Sequence, residues 1–385
     1  MTPTIEVIDG GFLTTVQDLG RQGYQRFGVP VSGTMDQYSM RIANLLVGND
    51  EGSAVLEITM LGPTLMFLSK SRVALAGADL GAEIDGNPLG SWRSVDIAKG
   101  STLSFSGRMS GVRAYLAISS GLDVPETMGS RSTSIRESIG GIQGRSLLKG
   151  DFLTAFHSIS DLPLISVPKH HIYTYSDKQR VRVILGPQQE NFTKQGISTL
   201  LSGSYEISND CNRIGIRLVG PKLSHKSGAD IISDGTSFGS IQVPGDGIPL
   251  ILMADRGTTG GYAKIATVIT PDLWKLSQSL PGNTLTFESV TVESAVAINR
   301  ERETELSNLK ALVARTGQRQ LPSPRILVNG QSYLVEDSSG NVIAKPTEFT
   351  GEFLARKHHL LVTSNAVSYN FSVELQVPFC DTGPS

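Results

Sequence analysis

The densest set of groups able to do chemistry lies between Gly239 and Ile269. Two apolar runs there flank Asp255, Arg256, Thr258, Thr259, Gly260, Gly261 and Tyr262, with Gln242 on the preceding strand. Paired glycines let backbone N–H groups approach a ligand and form an anion-binding nest. The threonine hydroxyls, the Tyr262 phenol and the Gln242 amide add donors. A donor aimed at developing oxyanion charge is worth about 2.7–4 kcal/mol. Asp255 would act as a base or orient one. The same residues also suit a tight turn with a self-capping Asp and a structural salt bridge, and composition leaves the two readings even.

Three other stretches carry charge and hydroxyl groups. Gly129–Arg136, continuing through Gly140-Gly141 to Arg145, combines three arginines with serine and threonine. Arg131 and Ser132 would bind phosphate or carboxylate there, or the segment is a mobile, solvated loop. Thr14–Arg21 offers Asp18 and Arg21 as an anion or substrate contact, or as a local ion pair fixing a turn. Asp36 opens a helix, where its charge suits the helix dipole whatever its role. Arg213, before Ile214-Gly215, can reach an anion but is a type more often found on the surface. No phosphate-binding P-loop, dinucleotide glycine pattern or Gly-x-Ser-x-Gly elbow occurs. The pairs His170-His171 and His358-His359 lack zinc spacing, and neighbouring side chains point apart on a helix or strand, so no metal is expected.

These groups need a scaffold of strands and turns. Phe12–Val16 reads as a strand. Met35–Val47 reads as a helix, with Thr34 as N-cap, Gln37 completing a capping box, and Gly48 as the stop. Short strands follow from 54 to 156, with hairpin turns expected at Asp85-Gly86 and Gly100-Ser101. Residues 158–178 read as a boundary. A second strand-rich unit runs from Arg180 to about Val292, with Ser240–Val243 and Pro249–Met253 pairing as a hairpin and a short helix at Asp272–Ser279. A closing helix spans Glu293–Thr316, followed by strand-like pieces at Ile326–Val328, Ser332–Val335 and Leu360–Thr363. The expected division is 1–175, 176–300 and 301–385.

The chain has 385 residues, 41 of them glycine, with 18% charged side chains and a formal net charge of −2. Low charge and much glycine fit a mainly β (α+β) fold. The near-neutral balance gives no reason to expect nucleic acid or an anionic membrane as a partner. Two distant cysteines suggest no disulfide framework. With no signal peptide or membrane span visible, the expected location is cytoplasmic.

Several motifs in order resemble the biotin-dependent carboxyltransferase, or allophanate hydrolase subunit 2, family. They are Thr14-Thr15-Val16-Gln17-Asp18-Leu19-Gly20-Arg21, Ala43–Asn49, Leu56-Glu57-Ile58-Thr59, Gly129–Thr133, Gln242-Val243-Pro244 and Asp255–Tyr262. The resemblance spans about residues 5–300. It implies two cyclophilin-like β-barrel domains with a few short helices. It implies partners of the allophanate hydrolase subunit 1 type (the B component of 5-oxoprolinase, or Kip inhibitor), and a LamB/YcsF-type third component. The implied activity is ATP-dependent opening of 5-oxoproline to glutamate by a hydrolase complex. The alternatives are carboxyl transfer from carboxybiotin to urea or a related amide, and non-catalytic sequestration of a kinase inhibitor. ATP would be held by the complex, with the 129–145 arginines or a partner interface as its site. Biotin would come on a separate carrier chain, because no Ala-Met-Lys-Met-like attachment sequence occurs. The piece Ile326–Tyr333 faintly resembles the lead-in to a biotin carrier domain.

Overall fold

The computed structural model describes residues 2–156 and 163–318, together with the strands between Arg325 and Pro378. The protein is mostly β, with few helices. Contacts divide the chain into residues 1–313 and 314–385.

The first half builds two sheets around one apolar core. Strands Leu13–Gln17, Val55–Thr59, Ser110–Ile118, Ser71–Asp79 and Arg93–Ile97 form a five-stranded sheet, and Ile5–Asp9, Thr64–Phe67 and Thr102–Phe105 are the central strands of a six-stranded one. Alternation explains the division of faces. Leu56 and Ile58 point into the core between the sheets, while Val55 joins a second cluster under a helix. Glu57 shares the Val55 face, and its register partners are Thr15 on one side and Tyr115 on the other. Helix α1 (Gln37–Leu46) lies on that face, burying Tyr38, Met40, Ile42, Ala43 and Leu46.

The second half is a closed seven-stranded barrel in the order Lys178–Leu185, Lys264–Val268, Ser240–Gln242, Leu250–Leu252, Gly215–Val219, Ser204–Cys211 and Thr284–Ser289. The parallel pairing of Lys178–Val183 with Thr284–Ser289 closes it. The expected hairpin is present, with Ile241 opposite Ile251 and Gln242 opposite Leu250. Two outlying strands, Asp230–Gly235 and Thr259–Tyr262, pair at the rim. Met35, from the first half, packs in the barrel core. Its carbonyl accepts a 2.5 Å bond from Ser277 Oγ. Helix α2 (Lys194–Ser202) has no counterpart among the elements expected from sequence. Helix α3 (Leu273–Ser277) lies where a short helix was expected. Helix α4 (Val292–Gln318) buries Leu306 and Leu309 in the cluster that α1 covers, with ion pairs Arg41–Glu303 to α1 and Lys310–Glu51 to the turn after it. By itself, residues 325–378 form a five-stranded sheet containing all three strand-like pieces expected there.

Three local expectations are corrected. Asp36, not Thr34, caps α1, accepting 3.1 Å from Ser39 N–H and 2.7 Å from Ser39 Oγ. The Ser three residues on suits a cap at Asp36, and Thr34 instead bonds back through its N–H to Asp18 O. Gly100-Ser101 does turn the chain, but the strands it joins enter different sheets, so no hairpin forms. Asp85-Gly86 is a true hairpin turn, with positive φ at both residues as a type I′ turn requires. The His170 and His171 rings lie 4.0 Å apart, because they sit in a single 3-10 turn rather than on a helix or strand.

Candidate functional site

The pairing of Gly215–Val219 with Leu250–Leu252 brings the residues beyond each strand end together. Asp255 N–H donates 2.7 Å to Arg213 O, and the two side chains form a bidentate pair, Nε to Oδ2 at 2.8 Å and Nη2 to Oδ1 at 2.9 Å. Arg213 is only 5% exposed, against the surface position its type suggested. Its Nη1 reaches Glu57 Oε1 at 2.5 Å across 156 residues of chain, and Nη2 also donates to Gly33 O at 2.7 Å. Glu57, 1% exposed, accepts further from Met35 N–H at 2.8 Å and Tyr115 Oη at 2.9 Å. Arg113 stands 3.9 Å from Glu57 and donates to Ser277 O. Burial disfavours the Arg213 charge, but Asp255 and Glu57 reverse this and hold its pKa above the ordinary value.

This network locks the first half to the barrel. Each Asp255 oxygen accepts a bond from Arg213. Asp36 belongs to the same buried seam: Gln278 Nε2 donates to it at 3.0 Å, and Gln278 also bonds Val112 N–H, Arg113 N–H and Arg113 O. Burial pushes the Asp36 carboxyl pKa up, opposed by the Gln278 and Ser39 bonds.

The barrel rim forms a second cluster. Gln242 donates weakly to Tyr262 O at 3.3 Å, and a Cβ on Gly260 would fall 2.3 Å from Gln242 Nε2 and 3.3 Å from Thr236 Cγ2. Glycine is therefore required at 260 so that the backbone can lie against the Gln242 amide. Thr258 and Gly261 are half-buried, while Thr259 and Tyr262 are exposed. Thr236 Oγ1 bonds Gly257 O at 2.5 Å, tying the loop to the neighbouring strand. Arg256 sits behind the loop, donating to Thr236 O at 3.4 Å and Met253 O at 3.2 Å. Lys264, 2% exposed, pairs with Asp234 at 2.9 Å, and Gln188 joins them at 3.1 Å.

Asp18, Arg21, Arg131 and Ser132 come together in the first half. The Asp18 carboxylate accepts from Ser130 Oγ at 2.7 Å, Ser132 Oγ at 2.5 Å, Arg131 N–H at 2.6 Å and Gly20 N–H at 2.8 Å. The anion gripped by this hydroxyl-rich segment is thus the chain's own Asp18. The three arginines expected to meet phosphate are paired: Arg131 with Glu126, Arg136 with Glu137, and Arg145 with Asp151. That set does not fit a triphosphate. Arg21 is fully buried and donates to Thr127 O and Ser132 O, while its Nη1 has no partner among the described residues. Burial lowers its pKa against the pull of Asp18 and Asp255.

Tyr115, Arg113, Gln278 and Lys264 are residues around the site that the sequence does not single out, and Glu57 and Arg256 stand in its motifs without an assigned role. For Glu57 a signal exists, an acid in the middle of the apolar strand Val55–Thr59. Among the described residues no three His, Cys, Asp or Glu side chains converge as metal ligands, and no helix is long and apolar enough to cross a membrane.

The model of the carboxyltransferase domain, subdomains A and B, matches residues 27–289, and the chain belongs to that family. It is 34% identical over 299 residues to the C component of 5-oxoprolinase of Escherichia coli, covering 78% of this chain and 95% of that protein. It is 31% identical over 395 residues to urea amidolyase of Saccharomyces cerevisiae, covering 97% of this chain and 21% of that protein. Among solved structures, Kluyveromyces lactis urea carboxylase matches at 30% identity and a TM-score of 0.76, covering 97% of this chain and 33% of that one. The chain thus spans nearly all of the bacterial protein and a fifth to a third of the yeast enzymes. Nothing in these relatives supports the kinase-inhibitor reading.

Proposed function

We propose that this chain is a carboxyltransferase module that moves a carboxyl group onto a nitrogen of urea or a closely related amide. One observation carries the choice. The likeness to urea amidolyase of Saccharomyces cerevisiae and urea carboxylase of Kluyveromyces lactis runs through 97% of the chain, taking in residues beyond 313, whereas the match to the 5-oxoprolinase component covers 78%, as do, within two points, the matches to other urea amidolyases. The motifs alone rank the two activities the other way.

The rim suits that chemistry. Gln242, 5% exposed, backs the Thr258–Tyr262 loop, whose exposed Thr259 and Tyr262 would supply hydroxyl donors to a substrate carbonyl. Asp255, bound by Arg213, would fix the chain three residues before Thr258. Carboxybiotin on a carrier would supply the activated carboxyl group. In the transfer one C–N bond breaks, another forms, and one proton passes from the acceptor nitrogen to the donor nitrogen. Thr259 and Tyr262, backed by Gln242, would align the acceptor for it.

A 5-oxoprolinase role remains the second reading, favoured by 34% identity across 95% of the bacterial protein, whose name makes it one component among several. The test supplies carboxylated biotin carrier and urea to the purified chain. Urea-dependent, avidin-sensitive movement of labelled carboxyl into an N-carboxylated urea is expected. Absence of transfer, with ATP-dependent glutamate release from 5-oxoproline once partner proteins are added, would overturn the proposal in favour of the second reading.

A further inference from the structure

The strand that carries Thr259 and Tyr262 belongs to a loosely built ribbon. Its partner, Asp230–Gly235, is in register at Asp230–Tyr262, Asp234–Gly260 and Gly235–Thr259, and the register slips between the first two pairs. Ile231, Ile232 and Ser233 thus stand against Gly261 alone, a bulge that disrupts the ladder. Ile232 on the bulge is 94% exposed, and of these two strands only Ile231 packs on the apolar cluster of the barrel. A two-stranded ribbon by itself is marginally stable in water. Contacts from outside it must fix where its hydroxyls stand.

Gln242 and Lys264, opposite each other on two neighbouring barrel strands, hold it at two points. The buried Gln242 amide lies against the Gly260 backbone and donates to Tyr262 O. Lys264 Nζ donates 2.9 Å to Oδ2 of Asp234, the residue paired with Gly260. Gln188 Nε2 donates to the same oxygen at 3.1 Å, and Gln188 Oε1 accepts from Lys264 N–H at 3.1 Å. Gly235 N–H donates 2.7 Å to the other Asp234 oxygen. Bonds from Lys264, Gly235 and Gln188, in that order of weight, hold the Asp234 carboxyl below its usual pKa. The pair is lopsided. The Lys264 side chain is 2% exposed and that of Asp234 53%, and among the described residues no other carboxylate lies within 4.0 Å of the lysine. An apolar side chain fills a buried place at less cost than an ammonium. Lys264 is too enclosed to touch a ligand at the rim. What it reaches is the ribbon.

We propose that Lys264 and Asp234 are positioning residues, whose ion pair latches the rim ribbon to the barrel and so sets where the Thr259 and Tyr262 hydroxyls stand. Lys264 acts through Asp234, and Asp234 acts through its pairing with Gly260, which stands between the two hydroxyl residues. This deepens the carboxyltransferase reading and rests on it for the reaction that the hydroxyls serve. The latch itself is independent of that reaction.

Hydrogen exchange of the full chain, read by mass spectrometry, tests the latch without substrate. Asp234→Asn keeps the size of the side chain and should speed amide exchange in 230–235 and 259–262 about tenfold or more, as expected for local opening. Exchange in the barrel strands Ser204–Cys211 and Gly215–Val219 should not change. Asp234→Glu, which keeps the charge, should stay near wild type. In urea-dependent carboxyl transfer, Asp234→Asn should lower kcat about fivefold or more with KM little changed, because donors aimed at developing charge act in the transition state. Lys264→Met should do the same, and the double variant should be no worse than the poorer single one, since both remove one contact. Unchanged ribbon exchange in Asp234→Asn, or exchange sped equally in the barrel strands, would overturn the proposal. So would losses that multiply in the double variant, or a loss in Lys264→Met that Asp234→Asn does not share, which would mean that the lysine acts on the ligand directly. Should Lys264→Met not fold, the contrast of Asp234→Asn with Asp234→Glu decides. Faster ribbon exchange in Asp234→Asn, without any urea-dependent transfer by the wild type, would keep the latch and refute the urea reading.

Discussion

Replacing Arg213 with Met tests whether the Glu57–Arg213–Asp255 network locks the two halves together. The change removes two bonds to Asp255, one to Glu57 and one to Gly33 O. It leaves two carboxylates, 1% and 5% exposed, without their shared cation. Removing one partner of a buried pair costs about 3–5 kcal/mol. The expected deficit is therefore about 3–5 kcal/mol, with Met filling the space of the Arg213 stem but supplying no donor. Guanidinium chloride unfolding of wild type and variant measures it. A deficit below about 1 kcal/mol would refute the reasoning.

Two glycines should fail differently. Gly260→Ala meets the end of the Gln242 side chain at 2.3 Å and Thr236 Cγ2 at 3.3 Å, both side-chain atoms rather than backbone, so activity should fall about tenfold or more while stability changes by about 1 kcal/mol. Gly140→Ala puts a Cβ 2.1 Å from Ser132 O at φ +69°, so it should destabilise by about 2 kcal/mol or more in thermal unfolding. Asp272 is held below its usual pKa because, against its burial, Arg182 binds it through its backbone N–H and guanidinium. A lowered folded pKa means its stabilisation is present above the unfolded value, about 3.9, and is lost as pH falls through the folded one. Asp272→Asn should flatten that acid limb in pH-dependent melting.

Much of the strand pattern was legible because a period of two and a turn glycine are local signals. The hairpin at Ser240–Met253, α1 and the short helix near Asp272 each follow from neighbours in sequence. Gly100-Ser101 misled because a turn reports only that the chain reverses. Which sheet the next strand joins depends on partners elsewhere, here Thr64–Phe67 and Ala82–Ile84.

The sequence by itself determined a mainly β chain, the family, and a chemistry-bearing rim around Gln242 and Asp255–Tyr262. Those features reside in composition and contiguous motifs, and contiguity survives without coordinates. Tertiary structure decided the roles. It turned Arg213 from a surface type into the buried cation between Asp255 and Glu57, and it matched the Ser130 and Ser132 hydroxyls to Asp18. It also left Arg256 without a carboxylate among the described residues, while each oxygen of its neighbour Asp255 accepts from Arg213. The physical reason is that a charge is defined by what lies within a few ångströms. Here those neighbours are 42, 156 and 112 residues away along the chain.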